Sequence, residues 1–183
     1  MKKGLWIILL LTAGCVQGPW VQVAGLYNMD SQNFSVELPP GWMRLNQENY
    51  LLITRDGAPL QNIRVLRLNV ETPFKYTKKK FSASMLPHEA GEVILDNIAS
   101  DQNISDFTLL ENTPLKISGV SGFRAVYTFK NKDGLKIKSI YCGFIADKWF
   151  YGLNYNAAQR YYFDKDVGTF EKVVGSFRLI KTT

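Results

Sequence analysis

The sequence predicts an α+β domain built on an antiparallel β-sheet with amphipathic helices, and three observations carry that prediction. Residues 123–155 alternate apolar and polar side chains in three successive runs joined by tight turns, the pattern of an antiparallel meander. Phe163, Val167, Phe170, Val174 and Phe177 recur at intervals of 4, 3, 4 and 3 residues, the stripe of a helix packed along one side. Ala90, Val93, Ile94 and Ile98 repeat at helical spacing behind Pro87, and prolines suit a helix start.

The chain opens on the basic head Met1-Lys2-Lys3-Gly4, followed by seven large apolar residues from Leu5 to Leu11. That run is far short of the roughly 20 apolar residues a membrane-spanning helix needs. A basic head, a short apolar core and small residues before a cut site form a secretory signal peptide, here residues 1–14. The end of the run, Leu11-Thr12-Ala13-Gly14-Cys15, resembles the lipobox of bacterial lipoproteins, with Thr12 where Leu is commonest. The resemblance implies that the Cys15 sulfur takes a diacylglyceryl group. The chain is then cut before Cys15, and the new amino group receives an acyl chain such as palmitate. Two or more chains suffice for stable anchoring, since each buried CH₂ contributes about 0.8 kcal/mol and one chain alone is marginal. Val16 is not the Asp that retains many lipoproteins in the inner membrane, so the resemblance favours the outer membrane, facing the periplasm.

Processing leaves 169 of the 183 residues and takes the formal charge from +6 to +4. That is one domain's worth of chain, able to bury roughly 68–70 per cent of its unfolded surface. The composition, 46 per cent hydrophobic and 21 per cent charged, is that of a globular protein. The mild basic excess points weakly to anionic lipid or another acidic surface and gives no case for nucleic acid.

Residues 15–32 read as the lipidated cysteine and a tether, with residues 33–183 as the domain. Val16-Gln17-Gly18-Pro19 is the plain spacer, spanning at most about 14 Å. Trp20 and Val23 are apolar enough to dock, which would hold the domain close to the bilayer; residues 25–32 read as loop. A strand over 34–38 ends at Pro39-Pro40-Gly41 and the sheet resumes over 42–45 and 51–54. From 60 to 70, Leu66, Leu68 and Val70 are in phase while Ile63 and Val65 are not, so the strand is either bulged or covered on both faces. Lys78-Lys79-Lys80, between Tyr76 and Phe81, could meet anionic head groups or simply form a solvated face. A helix follows over 88–100, then a loop over 103–106 and short strands over 107–110 and 115–117, separated by Asn112-Thr113-Pro114. Residues 119–122 turn the chain into the meander, and Gly175 ends the last helix before a final short strand or tail.

With Cys15 lipidated, Cys142 has no disulfide partner. Its in-phase neighbours Ile140 and Phe144 make it a small buried hydrophobe under a helix rather than a reactive thiol.

Several stretches together are similar to PsbP/Mog-type domains, among them the DcrB-like envelope lipoproteins. They are Phe34-Ser35-Val36-Glu37-Leu38-Pro39-Pro40-Gly41-Trp42, the G-x-x-G-F of Gly119 to Phe123, Trp149-Phe150-Tyr151 and Val173-Val174-Gly175-Ser176-Phe177. The resemblance implies an antiparallel sheet flanked by helices on both faces, an α/β/α sandwich. It also implies an accessory or adaptor role rather than catalysis. No binding residue transfers with it.

A Ser-His-Asp or Cys-His site needs a base, and the single histidine, His88, stands at a helix start with a solvated or capping role. His88 and Cys142 are too few for a structural zinc site, no phosphate or dinucleotide loop is present, and no pair among the 16 acids stands out. No catalytic residue, metal or cofactor is therefore expected. The candidate partner or ligand surface is Trp149, Tyr161 and Tyr162 with Lys78, Lys79 and Lys80; aromatic faces with polar tips suit interfaces and sugar stacking, though in-phase strand aromatics also fill cores. The sequence thus points to an envelope lipoprotein acting as an accessory interaction domain, with the bilayer and a protein as partners. A binding module for a small apolar or saccharide ligand in an aromatic-lined pocket is the alternative.

Overall fold

The computed structural model describes residues 18–82 and 84–180; the expected signal peptide and Cys15 lie outside the described residues. The described chain forms β1 (Trp20–Met29), a single 3₁₀ turn (Asp30–Gln32), β2 (Phe34–Leu45), β3 (Leu51–Thr54), β4 (Gln61–Asn69), α1 (Pro87–Ala99), β5 (Ile104–Ile117), β6 (Val120–Asn131), β7 (Lys136–Ala146), β8 (Trp149–Ala158), α2 (Tyr162–Ser176) and β9 (Arg178–Leu179). The described strands make one antiparallel sheet in the order β1-β2-β3-β4-β8-β7-β6-β5, with β9 added beside β2. The meander β6-β7-β8 sits inside it in unbroken register, from Gly122 opposite Phe144 to Ala146 opposite Trp149.

Three expectations change. Residues 25–29 are not loop: they complete β1, which pairs along its length with β2, and only Asp30–Gln32 form the turn between them, so residues assigned to the tether belong to the sheet. Leu26 is 65 per cent exposed, and an edge strand with few apolar positions to bury leaves little alternation to read. Pro39-Pro40-Gly41 does not end a strand either. One residue of β1, Ala24, faces these three between the pairs Val23–Trp42 and Gly25–Leu38, a bulge that bends β2 without breaking it. Gly25 and Gly41 hold φ of 79° and 77° there, a region side chains avoid, and the missing N–H groups of the prolines fall where the ladder is already interrupted. Finally, β5 is one strand from Ile104 to Ile117, taking in residues 104–106 of the expected loop and the expected break at Pro114. It lies on the sheet edge, where a proline is tolerated, and two register shifts blur its phase.

β4 keeps an unshifted register with β8 from Gln61 to Asn69, which decides between the two readings of its apolar pattern. There is no bulge: Ile63 and Val65 are fully buried in one cluster, and Leu68 packs against the other. The two clusters draw on alternate residues of the same strands. Val126, Ile140, Cys142, Phe144, Tyr151, Leu153 and Tyr155 join Phe163, Phe170, Val173 and Val174 of α2. Phe123, Ala125, Tyr127, Tyr141 and Phe150 join Ala90, Val93, Ile94 and Leu95 of α1. The N-terminal Pro87 and the Glu89 carboxylate, which accepts from the Leu86 N–H at 2.8 Å, begin α1.

Candidate functional site

The structure separates the residues that the sequence grouped as a candidate surface. Trp149 begins β8 while Tyr161 and Tyr162 follow its far end, and ten residues of strand put roughly 30 Å between them. Lys78 to Lys80 lie on the loop after β4, at the Trp149 end, because Val70 bonds the Lys148 carbonyl at 3.1 Å and Phe81 bonds Val70 at 3.1 Å. None of the three lysines is an idle charge: Lys79 pairs with Asp96, Lys80 stands 3.7 Å from Glu71, and Lys78 donates to the Lys75 carbonyl at 2.9 Å.

Trp149 is half-buried beside an open hollow of about 530 Å³ lined by Asn33, Tyr151, Leu179 and Ile180. The Arg67 guanidinium lies 4.0 Å from its ring centroid, so one face of the indole is already covered. Tyr151 and Tyr155 are core residues, 4 and 0 per cent exposed. The Tyr155 hydroxyl donates to the carbonyls of Tyr162 and Phe163 at 2.7 and 3.1 Å, and burial pushes its ionisation upward.

At the opposite end of β8 the turn between β3 and β4 meets both the strand end, where the Ala158 N–H donates to the Leu60 carbonyl at 2.9 Å, and the start of α2, where Lys165 reaches Asp56. Tyr161, 61 per cent exposed, stands edge-on to Tyr162 with ring centroids 5.1 Å apart. Lys165 lies 5.3 and 5.6 Å from the two rings and donates to Asp56 at 2.7 Å. This hydrogen bond holds the Asp56 carboxyl below its ordinary range and raises Lys165. Arg55 then links Asp56, at 3.4 Å, to the buried carboxylate of Asp166, at 2.8 and 2.9 Å from its two oxygens. Gln61 donates to the same carboxylate at 2.9 Å. Burial raises the Asp166 pKa, against the pull of Arg55, Lys165 and Gln61. Sequence reasoning missed this chain of polar contacts. A signal existed: Asp166 stands three residues after Phe163 and four before Phe170, on the apolar stripe itself, and the structure buries Asp166 where Val167 was expected.

Beside Arg55, Trp20, Met43, Gly57, Ala58 and Pro59 surround an open hollow of about 460 Å³. His88 is exposed at the second residue of α1, and its hollow of about 250 Å³ contains Asn112 and Pro114 but no second titratable group. Cys142 is fully buried, and burial pushes its thiol pKa up to about 12. Among the described residues no three His, Cys, Asp or Glu side chains are placed to hold a metal ion, and no helix is long and apolar enough to cross a membrane. Chemically, the arrangement offers charged and aromatic surfaces, and the buried carboxylate of Asp166 accepts its hydrogen bonds from Arg55 and Gln61 through Oδ2, with Oδ1 in ion-pair contact with Arg55.

The sequence matches no protein-family profile and no curated protein. Solved structures do resemble the chain. The cyanobacterial PsbP protein (CyanoP) of Synechocystis superposes with a TM-score of 0.59 at 12% identity, covering 93% of this chain and 98% of that one. The Ran-binding protein Mog1p of Saccharomyces cerevisiae superposes with a TM-score of 0.56 at 10% identity, over 88% and 97%. At such identities the likeness establishes a PsbP-like/Mog1 fold and leaves function open.

Proposed function

We propose that the chain is a lipid-anchored accessory protein of a bacterial envelope, held through Cys15 at the outer membrane facing the periplasm, and that it acts by binding a protein rather than by catalysis. The observation that carries the reading is the stretch Leu11-Thr12-Ala13-Gly14-Cys15, placed five residues ahead of a sheet that starts at Trp20. The shared fold supports the second half, since one neighbour of this fold is a Ran-binding protein. The alternation of the two clusters further supports a three-layered α/β/α sandwich, with α1 on one face and α2 on the other.

Crosslinking the protein in its native membrane and identifying the products tests the partner half. The reading expects the same envelope protein to be recovered repeatedly, and repeated recovery of none counts against it. The hollow beside Trp149 favours the small-ligand alternative, which the covered indole face weakens.

A further inference from the structure

The hollow at Trp20 belongs to one contiguous surface. Its rim residue Arg55 connects through Asp56 and Lys165 to Tyr161, so Trp20, Met43, Ala58, Pro59 and Tyr161 border the same end of the sheet. Trp20 and Met43 are half-buried, whereas Pro59 and Tyr161 are exposed. The position of this surface relative to the anchor is constrained by chain length. Cys15 precedes Gly18, the first described residue, by three positions, about 11 Å of fully extended chain. If Cys15 carries lipid, Gly18 and Pro19 cannot stand far from the head groups, and Trp20 follows directly. Pro19 is fixed to the sheet, because its carbonyl accepts from the Asn46 N–H at 2.7 Å, so no further slack lies between tether and fold.

The chemistry of the patch matches that location. Tryptophan and tyrosine settle at the boundary between acyl chains and water, where an apolar ring and a polar tip are both accommodated. The charges on its rim are mutually paired, Arg55 and Lys165 with Asp56 and Asp166, so the patch is not a cationic one. We infer that the surface formed by Trp20, Met43, Ala58, Pro59 and Tyr161 rests on the lipid bilayer at head-group depth; the inference depends on the lipid-anchored reading of Cys15. The Lys78–Lys80 loop is then turned away. It lies at the other end of β4, roughly 27 Å along the strand.

The test uses the protein extracted from membranes, its N-terminal peptide weighed by mass spectrometry, and reconstituted in vesicles of phosphatidylethanolamine and phosphatidylglycerol containing nitroxide-labelled lipid. Trp149→Phe leaves Trp20 as the reporter beside the buried Trp42; Trp20→Phe leaves Trp149 instead. The inference expects head-group nitroxide to quench the Trp149→Phe protein at least about twofold more than the Trp20→Phe protein. It also expects no change when phosphatidylglycerol is omitted or when Lys78, Lys79 and Lys80 are replaced by Gln. Acylated protein with equal quenching in the two variants overturns the inference and leaves the anchor intact. Trp20 shielded from aqueous iodide yet unquenched by lipid means that protein covers the patch, and also overturns it. An unmodified Cys15 removes the anchored reading, and the inference with it.

Discussion

Arg55, on the turn between β3 and β4, holds the carboxylate of Asp166, buried on α2, with its guanidinium at 2.8 and 2.9 Å from the two oxygens. The contact ties two elements 111 residues apart and keeps a 1 per cent exposed charge compensated. Removing the arginine leaves that carboxylate buried with Gln61 as its hydrogen-bond donor and the Lys165 charge near by. With Arg55 itself a third exposed, Arg55→Ala should cost about 1–3 kcal/mol of unfolding free energy, below the range for a fully buried pair. Chemical denaturation measures it.

The same carboxylate sets a pH dependence of definite sign. Its folded pKa is raised by burial, so the folded state binds the proton more tightly than the unfolded chain. Its contribution is fully present below the ordinary Asp pKa of about 3.9 and is lost as pH rises through the raised value. Asp166→Asn removes this dependence. The stability of the native protein relative to Asp166→Asn should therefore fall as pH rises above about 4, and level off once the raised folded pKa is passed. Paired denaturation curves across that range check it.

Cys142 should behave as a protected thiol. With its pKa pushed up to about 12 and no exposure, it should not react with a thiol reagent at neutral pH until the protein unfolds. Reaction should then follow the unfolding transition, which a colorimetric thiol assay in increasing denaturant reads directly.

Gly143 stands opposite Gly152 in the β7–β8 pair, and the space is taken by aromatic rings. A Cβ on Gly143 would lie 2.6 Å from Phe150 Cζ, and Phe150 in turn stacks on Phe81 at 4.3 Å and on Phe123 at 6.3 Å. Gly143→Ala should destabilise the fold by about 1–3 kcal/mol through overpacking, measured by thermal or chemical denaturation.

The sequence shows some of this architecture openly and hides the rest for physical reasons. Phe123, Ala125 and Tyr127 alternate with Arg124, Val126 and Thr128 because the meander is central and each face has a fixed neighbour, so its register is visible residue by residue. Phe163, Phe170 and Val174 announce α2 for the same reason. β1 and β5 are edge strands, partly exposed at Leu26, Leu109 and Leu110, and register shifts in the pairing of each with its sequence neighbour break the local alternation that would have marked them. Tyr161 and Tyr162 looked like a companion to Trp149 only because the length of β8 between them carries no mark in composition. The Arg55–Asp166 contact depends on a turn and a helix far apart in sequence, with only the misplaced Asp on an apolar stripe to signal it.

Lipid anchoring rests most directly on the chemistry of Cys15. Mass spectrometry of the N-terminal peptide of the protein extracted from membranes should find Cys15 as the first residue, carrying a diacylglyceryl group on sulfur and an acyl chain on nitrogen. A peptide retaining residues 1–14 with an unmodified Cys15 thiol would contradict it.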